Sequence, residues 1–235
     1  MKFSKYQGCG NDFIIINVLE QSLAGIDIYA FAKRVCDRHF GVGADGLILV
    51  RPSEIAKVRM QIINSDGSEP EMCGNGIRCF AAYLYENKIQ RAERLAVETG
   101  AGIKETVLHL DAAGKIKHIE VDMGEPIVIA SLIPLRAEGS QTFIAKDFKI
   151  DDRTFPLTVV SMGNPHAVSF VKNLDFDFEH YGKILEVDDH FPAKTNVEFV
   201  KIHAPDKVEV KVWERGAGET LACGTGACAV VVAGN

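Results

Sequence analysis

Two copies of one cysteine motif, one in each half of the chain, are the features of this sequence most suited to chemistry. Both copies read Glu-x-x-x-Cys-Gly-x-Gly, with Cys73 in the first and Cys223 in the second. A Gly-Asn pair precedes each copy at nearly the same interval, ending at Asn11 and at Asn164. Chance rarely gives both matches in the same order, so we infer two homologous halves that meet near residues 115–125.

Each motif cysteine is predicted to lie where a glycine-rich turn opens a helix. The unpaired N–H groups and the positive dipole end of such a helix favour an anion, which predicts a thiol pKa below the ordinary value of roughly 8.5. The glycines let the backbone approach a ligand closely, so the same N–H groups can hold a carboxylate. One such turn gives an activated thiol beside an anion site.

Two such turns facing each other suit inversion at a stereocentre. A thiolate on one face of a bound carbon removes the α-proton, and a thiol on the other face delivers a proton. The helix N-termini stabilise the charge that develops next to the substrate carboxylate. This chemistry requires no pyridoxal cofactor and no metal, and we expect neither.

Packing and metal binding are the alternatives for the cysteines. A single Cys-Gly-x-Gly before a helix is more often a packing feature than a catalyst, so the duplication is what favours catalysis. The sequence lacks the usual zinc-ligand spacings. Cys36, Cys79 and Cys228 are predicted core residues, whereas Cys9 has no predicted task. His166 follows the second Gly-Asn pair, which sets it apart from the other histidines.

The composition is that of an ordinary globular protein. The 235 residues are 47% apolar and 25% charged, with a formal net charge of −6. Such a chain buries a core without disulfides, and its mild acidity without a basic cluster argues against binding of nucleic acid or of a membrane. With no evident signal peptide and no apolar run near the roughly 20 residues of a membrane span, we expect a cytoplasmic protein with reduced thiols.

Hydrophobic periodicity predicts many short strands and few helices. The strand-like runs and the turn residues between them indicate mainly antiparallel sheet. Helices are predicted over 28–39, from 76 to about 87 and from 178 to about 185, and a further helix is expected to open at Gly226.

These motifs, with several others, resemble the diaminopimelate epimerase family. The matching blocks follow the family's order across nearly the whole chain, and jointly they are highly specific. They lie at 10–13, 66–69, 73–79, 123–126, 161–166, 213–220 and 223–226.

The resemblance implies a reaction and a fold. Members of the family interconvert LL- and meso-2,6-diaminopimelate without a cofactor, in lysine and peptidoglycan precursor biosynthesis. We therefore expect an α+β fold of two pseudo-symmetric halves, each a mainly antiparallel sheet wrapped around a central helix, with the active site in the cleft between them. The expected halves are 1–122, which carries Cys73, and 123–235, which carries Cys223. A homodimer is expected as well.

The resemblance also implies the site residues. Cys73 and Cys223 are the expected acid and base thiols, with His166 and Glu214 beside them. The expected backbone cradle for the reacting α-carboxylate is Gly74, Asn75, Gly224 and Thr225. The expected ligands of the other polar groups of the substrate are Asn11, Asn64, Asn164, Asn196, Glu214 and Arg215. Side-chain amides, a carboxyl group and a guanidinium suit a substrate with two ammonium groups and two carboxylates. On the residues alone, the asparagines could equally cap turns, and Arg215 could be a solvated surface charge.

Two features depart from the family pattern. Some relatives carry a polar side chain after Gly-x-Gly-x-Asp, where this chain has Gly46, so no side-chain contact is assigned there. Family chains continue through further strands, whereas this chain stops at Asn235, shortly into the helix that Gly226 opens. We therefore expect a truncated C-terminal half whose last helix depends on tertiary packing.

Two other functions stay open on the sequence alone. The first is another cofactor-independent amino-acid racemase of the same fold, such as a proline or histidine racemase. Arg215, with Asn64 and Asn196, favours a second amino-acid head group and hence diaminopimelate. The second is an inactive protein that binds a ligand between two lobes, against which the presence of both thiols argues.

Overall fold

The apolar strand segments of this chain form two separate sheets. The computed structural model describes residues 1–137 and 141–235, which divide into an N-terminal unit, Met1–Met123, and a C-terminal unit, Gly124–Asn235. Each unit has its own sheet and its own helices.

The N-terminal unit contains seven strands and two helices. The strands are β1 (Ser4–Gly8), β2 (Asn11–Asn17), β3 (Gly46–Arg51), β4 (Val58–Asn64), β5 (Arg94–Thr99), β6 (Gly102–Leu110) and β7 (Ile116–Val121). Helix α1 (Ile28–Cys36) connects β2 to β3, and helix α2 (Gly74–Glu86) connects β4 to β5. The strands lie in chain order in one sheet, with parallel pairing of β2 with β3 and of β4 with β5 and antiparallel pairing elsewhere.

The central strands of this sheet are covered on both faces. Successive side chains of a strand point to opposite faces, so an uninterrupted apolar run needs cover on each side. Phe13 and Ile15 of β2 pack in the core that contains α2, whereas Ile14 and Ile16 pack in the core that contains α1. Helix α2 contacts β1, β2, β4, β6 and β7, which makes it the helix around which the sheet wraps.

The C-terminal unit has a second sheet and two further helices among its described residues. The strands are β8 (Lys146–Ile150), β9 (Arg153–Ser161), β10 (Pro165–Phe170), β11 (Asn196–Ala204), β12 (Lys207–Glu214) and β13 (Gly218–Thr220). Helix α3 (Phe178–Glu186) connects β10 to β11, and helix α4 (Gly224–Gly234) follows β13 and contacts β9, β10 and β11. The strand order is β13-β12-β11-β10-β9-β8, with β10 and β11 parallel and the other neighbours antiparallel.

The two units repeat one arrangement of elements. In the N-terminal unit β1 and β2 pair antiparallel, α1 crosses to the parallel strand β3, β4 returns antiparallel, and α2 follows. The C-terminal unit repeats this order and pairing with β9, β10, α3, β11, β12 and α4. The short strand β13 is inserted before α4. The predicted α+β fold with two similar, mainly antiparallel halves is therefore confirmed.

Among the described residues, three of the four edge strands were missed from the sequence, whereas the fourth, β7, was predicted. Strands β1, β8 and β13 were not predicted, and each is the outermost strand of its sheet. They lack an uninterrupted apolar run because an edge strand is half-solvated and usually polar. The predicted helix 28–39 ends earlier, at Cys36, because backbone N–H groups of Val42, Gly43 and Ala44 bind the carbonyls of Val35 and Cys36 and turn the chain away.

We expect Gly41→Ala to destabilise the N-terminal unit by about 1–3 kcal/mol. A Cβ at Gly41 would come 2.4 Å from the Arg34 carbonyl oxygen and 2.6 Å from that of Val35, so the end of α1 would have to move. Thermal and urea unfolding measure the loss. Phe40→Ala is the neighbouring control, because Phe40 is 93% exposed and its truncation should leave stability unchanged. Equal stability of the two variants would contradict this packing.

Candidate functional site

Both motif cysteines occupy the same structural position, the N-cap of a helix. Cys73 caps α2, where its Sγ accepts the backbone N–H of Gly76 at 3.4 Å. Cys223 caps α4, where its Sγ accepts the backbone N–H of Gly226 at 3.3 Å. Such a cap satisfies one of the four donors that a helix leaves unpaired at its start. The predicted placement of both thiols at helix N-termini is confirmed, and both helices begin two residues earlier than predicted.

Amide side chains surround Cys73. Its thiol lies 3.8 Å from Asn11 Oδ1, which also accepts a hydrogen bond from Asn75 Nδ2 at 3.4 Å. Asn11 donates to the carboxylate of Asp45 at 2.7 Å, and Arg78 donates to Asn75 Oδ1. Two of the predicted substrate ligands therefore lie beside the first thiol, and charged partners hold both of them in place.

Asn64, a third predicted ligand, lies at the end of β4 opposite Gly46 of β3. Its side-chain amide donates to Ser68 Oγ at 3.0 Å, and its backbone N–H donates to the Ser68 carbonyl, so a turn fixes it. A Cβ at Gly46 would come 3.0 Å from the Ile63 carbonyl oxygen and 3.4 Å from the Phe13 ring. Close packing therefore accounts for the glycine at this position.

Cys223 lies in a more buried and more charged environment. Its Sγ is 3.3 Å from Thr225 Oγ1 and within hydrogen-bonding reach of Glu214. Burial raises the pKa of the Cys223 thiol and the charges of Glu214 and Glu198 raise it further, whereas hydrogen bonds from Thr225 and the Gly226 N–H lower it. The predicted lowering of the thiol pKa is wrong for Cys223, because burial beside two carboxylates outweighs the helix N-terminus.

Glu214 ends β12 with its carboxyl group beside Cys223. Thr220 donates its hydroxyl to Glu214 Oε1 at 2.5 Å. Burial raises the pKa of Glu214, the hydrogen bond from Thr220 lowers it, and the nearby charge of Glu198 raises it again. The structure thus gives Glu214 an environment in which its carboxyl group holds a proton more readily than in water.

A hydrogen-bonded chain leads from Cys223 into the sheet. Thr225 Oγ1, which contacts the sulfur, accepts a hydrogen bond from Asn164 Nδ2 at 3.4 Å. Asn164 Oδ1 lies 3.1 Å from His166 Nε2. His166 Nδ1 lies 2.7 Å from Glu198 Oε1, and both of these residues are fully buried. The predicted residues Thr225, Asn164 and His166 are therefore joined in one network, with Glu198 at its end.

Asn196 fixes the turn that carries Arg215. The buried Asn196 Oδ1 accepts the backbone N–H of Arg215 at 2.9 Å, and its Nδ2 donates to the Pro165 carbonyl at 3.0 Å. The Arg215 guanidinium donates to the Ala193 carbonyl at 3.1 Å. The role of Asn196 and Arg215 as substrate ligands stays a prediction.

Two acidic residues of this unit, Glu186 and Glu198, were not singled out from the sequence. Glu186 ends α3, and its carboxylate accepts the Trp213 indole N–H at 2.8 Å and the Gly216 N–H at 3.0 Å, which holds the turn after β12. Nothing in the sequence marks Glu186, because it resembles the last polar residue of an amphipathic helix. Glu198 does carry a signal, since it is a lone charge within the otherwise apolar run 197–200.

The two units carry different side chains at matching positions around their thiols. Strands β2, β3 and β4 have the same register as β10, β11 and β12 when Phe13 is matched with His166. The matched residues, N-terminal unit first, are Asn11 and Asn164, Phe13 and His166, Gly46 and Asn196, Ile48 and Glu198, Asn64 and Glu214, and Asn75 and Thr225. Both units carry an amide at the Gly-Asn position. The other matched positions are amide, apolar or glycine in the N-terminal unit, and in the C-terminal unit they include two acids, a histidine and a hydroxyl.

A model of the family described as diaminopimelate epimerase matches residues 3–129 and 158–235. The chain belongs to the diaminopimelate epimerase family. It is 47% identical over 235 residues to the diaminopimelate epimerase of Pelotomaculum thermopropionicum, a match that covers 100% of this chain and 83% of that protein. It is 50% identical over 234 residues to the diaminopimelate epimerase of Heliobacterium modesticaldum, covering 99% of this chain and 83% of that protein.

Solved structures share the fold of this diaminopimelate epimerase family member. A hydroxyproline epimerase from Agrobacterium vitis superposes with a TM-score of 0.70 at 14% identity, covering 97% of this chain and 75% of that chain. A phenazine biosynthesis protein of the PhzF family from Bacillus anthracis gives 0.66 at 18% identity, covering 98% and 77%. At these identities the likeness shows the fold alone.

The described parts of the chain contain neither a metal-binding cluster nor a membrane-spanning helix. Among residues 1–137 and 141–235, no three His, Cys, Asp or Glu side chains are grouped so that they could hold a metal ion. No helix in these same ranges is long and apolar enough to cross a membrane. Burial raises the pKa of the thiols of Cys36 and Cys79 to about 11, in agreement with their predicted core positions.

We expect the Cys223 thiol of this family member to stay protonated at neutral pH. Burial and the charges of Glu214 and Glu198 disfavour the thiolate, so alkylation of Cys223 by iodoacetamide should keep rising above pH 9, beyond the ordinary cysteine pKa of roughly 8.5. Glu214→Gln removes one negative charge and should move this rise to lower pH. Mass spectrometry of the alkylated peptide measures the profile, with exposed Cys9 as the reagent reference. A rise already complete well below pH 9 in folded protein would contradict this expectation.

Proposed function

We propose that this chain interconverts LL- and meso-2,6-diaminopimelate by a cofactor-independent two-base mechanism, with Cys73 and Cys223 as the acid and base thiols. In the cell this reaction serves lysine and peptidoglycan precursor biosynthesis. The observation that carries the proposal is that both thiols cap helix N-termini in a chain of the diaminopimelate epimerase family.

Inversion requires a proton to leave one face of the α-carbon and another to arrive at the opposite face, so the proposal assigns one thiol to each face. In one direction the Cys73 thiolate takes the α-proton and becomes a thiol, which leaves a carbanion. The Cys223 thiol then gives its proton to the other face and becomes a thiolate. The raised pKa of Cys223 supports this order, because it keeps that sulfur protonated before turnover. The reverse reaction exchanges the two roles.

The carbanion is the species that the site must stabilise. Negative charge spreads from the α-carbon onto the adjacent carboxylate, and preorganised N–H donors aimed at that group lower the barrier. Helices α2 and α4 offer such donors in their first turns, because a cap satisfies only part of the unpaired N–H set. The proposed cradle consists of Gly74, Asn75, Gly224 and Thr225.

The remaining charges of the substrate need partners of opposite sign. Glu214 lies beside Cys223 and is the proposed partner of the reacting ammonium group, with His166 behind it. Arg215 is the proposed partner of the distal carboxylate, since a guanidinium matches a carboxylate with two parallel hydrogen bonds. The other proposed ligands are the amides of Asn11, Asn64, Asn164 and Asn196.

The proposal includes three further statements that follow from family membership. Residues 1–122 and 123–235 act as two epimerase halves, each with one working thiol. The protein acts in the cytoplasm, where its thiols are reduced. The active form is a homodimer.

Replacement of either proposed catalytic thiol should abolish epimerisation. We expect Cys73→Ala and Cys223→Ala each to lower kcat on LL-diaminopimelate by roughly a hundredfold or more, because inversion needs a proton donor or acceptor on both faces. Cys228→Ala, which truncates a half-buried thiol of α4, is the matched control and should retain activity. Full activity in either thiol variant would refute the two-base mechanism.

Deuterium exchange separates the proposed enzyme from its two alternatives. In D₂O, inverted diaminopimelate should carry deuterium at the α-carbon, since the incoming proton comes from a different thiol than the one that took the first. Proton NMR and mass spectrometry of the products measure the exchange. A folded, reduced sample that exchanges no α-proton would favour a ligand-binding protein. Inversion of proline or another simple amino acid, with none of LL-diaminopimelate, would favour a racemase of the same fold.

A further inference from the structure

A buried histidine–glutamate pair lies beside the second thiol, between strands β10 and β11. His166 of β10 and Glu198 of β11 are both 0% exposed, and Nδ1 of the ring lies 2.7 Å from the carboxylate Oε1. The charged or titratable groups that face Glu198 are His166, Glu214 of β12 and Cys223 at the start of α4.

The fold itself does not require this carboxylate. Ile48 occupies the matching position in the N-terminal unit, where it is fully buried in an apolar core. Both residues lie against the second glycine of the motif. A Cβ at Gly76 would come 3.3 Å from Ile48 Cδ1, and a Cβ at Gly226 would come 2.5 Å from Glu198 Oε1. An apolar side chain therefore serves the packing role, and the carboxylate serves another.

The environment of Glu198 is also incomplete as a structural site. Its second oxygen, Oε2, is buried and has no hydrogen-bond partner within the residues that the structure describes. Burying a carboxylate with one unpaired oxygen is unfavourable, and groups of this kind concentrate where they serve a function.

The pair defines the direction of the hydrogen bonds that lead to the sulfur. Both ring nitrogens of His166 face oxygens, Nδ1 that of Glu198 and Nε2 that of Asn164, so a ring with a proton on each nitrogen satisfies both. Because Asn164 then accepts at Oδ1, its Nδ2 donates to Thr225 Oγ1. The Thr225 hydroxyl, having accepted that bond, is left to donate to the sulfur of Cys223.

We propose that Glu198 is a positioning residue that keeps His166 doubly protonated and thereby directs the hydrogen bonds of Asn164 and Thr225 toward the sulfur of Cys223. A neutral imidazole offers a bare nitrogen to Asn164, so the amide turns over and the Thr225 hydroxyl donates to it instead of to the sulfur. The inference rests on the proposed function for its effect on turnover. Its statement about the protons of His166 does not depend on turnover.

The test compares Glu198→Gln with Glu209→Gln. Glutamine keeps the shape of the side chain and removes the charge. Glu209 of β12 is the matched control, because it makes a similar pair, at 2.8 Å, with the exposed His203 at the far end of β11. We expect Glu198→Gln to lower kcat on LL-diaminopimelate by about tenfold to a hundredfold, with KM changed much less, and Glu209→Gln to leave both unchanged.

The spectroscopic readout is NMR of ¹⁵N-labelled histidine. In the parent protein His166 should carry protons on both nitrogens at neutral pH. In Glu198→Gln it should show one bare nitrogen, and the other histidines should be unaffected.

Two outcomes would overturn the proposal. One is a bare His166 nitrogen in the parent protein. The other is a Glu198→Gln variant whose kcat and His166 signals match those of the parent. Glu198→Asp retains the charge and should recover part of the lost kcat, and failure to exceed Glu198→Gln would count against a role for the charge. If the variants fail to fold, the NMR spectrum of the parent protein alone decides whether His166 is doubly protonated. A parent protein that does not turn over LL-diaminopimelate but shows the expected His166 signals would refute the proposed function and support the protonation of His166.

Discussion

The capped start of the motif helix is the interaction on which the rest of each unit depends. In both units the cysteine sulfur accepts the N–H of the second motif glycine, which ties the thiol to the first turn of the helix. That glycine also lies directly on the sheet, since a Cβ would meet Ile62 and Ile48 at Gly76 and the Glu198 carboxylate at Gly226. The glycine thus lets the helix approach the sheet, and its N–H holds the thiol over the strand ends.

Because the caps are alike, the differences between the two thiols arise from the sheet beneath them. Matching strand positions carry Phe13 and Ile48 in one unit and His166 and Glu198 in the other. The helix N-terminus favours a thiolate in both units, but in the C-terminal unit burial and two carboxylates raise the pKa of Cys223 above its ordinary value. The motif therefore fixes the position of each thiol, and the residues of the sheet influence whether that thiol is protonated before turnover.

This difference between the local cysteine motif and the sheet around it also explains what could be predicted from the sequence. The repeat and the strand-like runs sufficed to predict two homologous, mainly antiparallel halves, and the local glycine signals sufficed to place both cysteines at helix starts. The sheet wrapped around a central helix was expected from the family resemblance. The raised pKa of Cys223 could not be predicted, because it comes from burial and from the charges of Glu214 and Glu198. The burial and the distances of these carboxylates from the sulfur depend on tertiary packing and on the register of the sheet. Edge strands such as β1 were missed because their residues do not alternate between core and solvent strongly enough to be recognised.

Stability alone does not explain the buried His166–Glu198 pair of the C-terminal unit. Replacing a buried ion pair by packed apolar side chains is often neutral or stabilising, by up to about 4 kcal/mol. The N-terminal unit shows that this architecture accommodates the apolar alternative, since Phe13 and Ile48 fill the positions of His166 and Glu198 within a continuous core. Stability therefore gives no reason for the pair. The location of the pair does give a reason for it. The hydrogen-bonded chain that begins at Glu198 ends at the sulfur of Cys223, where a change of protonation is the proposed chemical event.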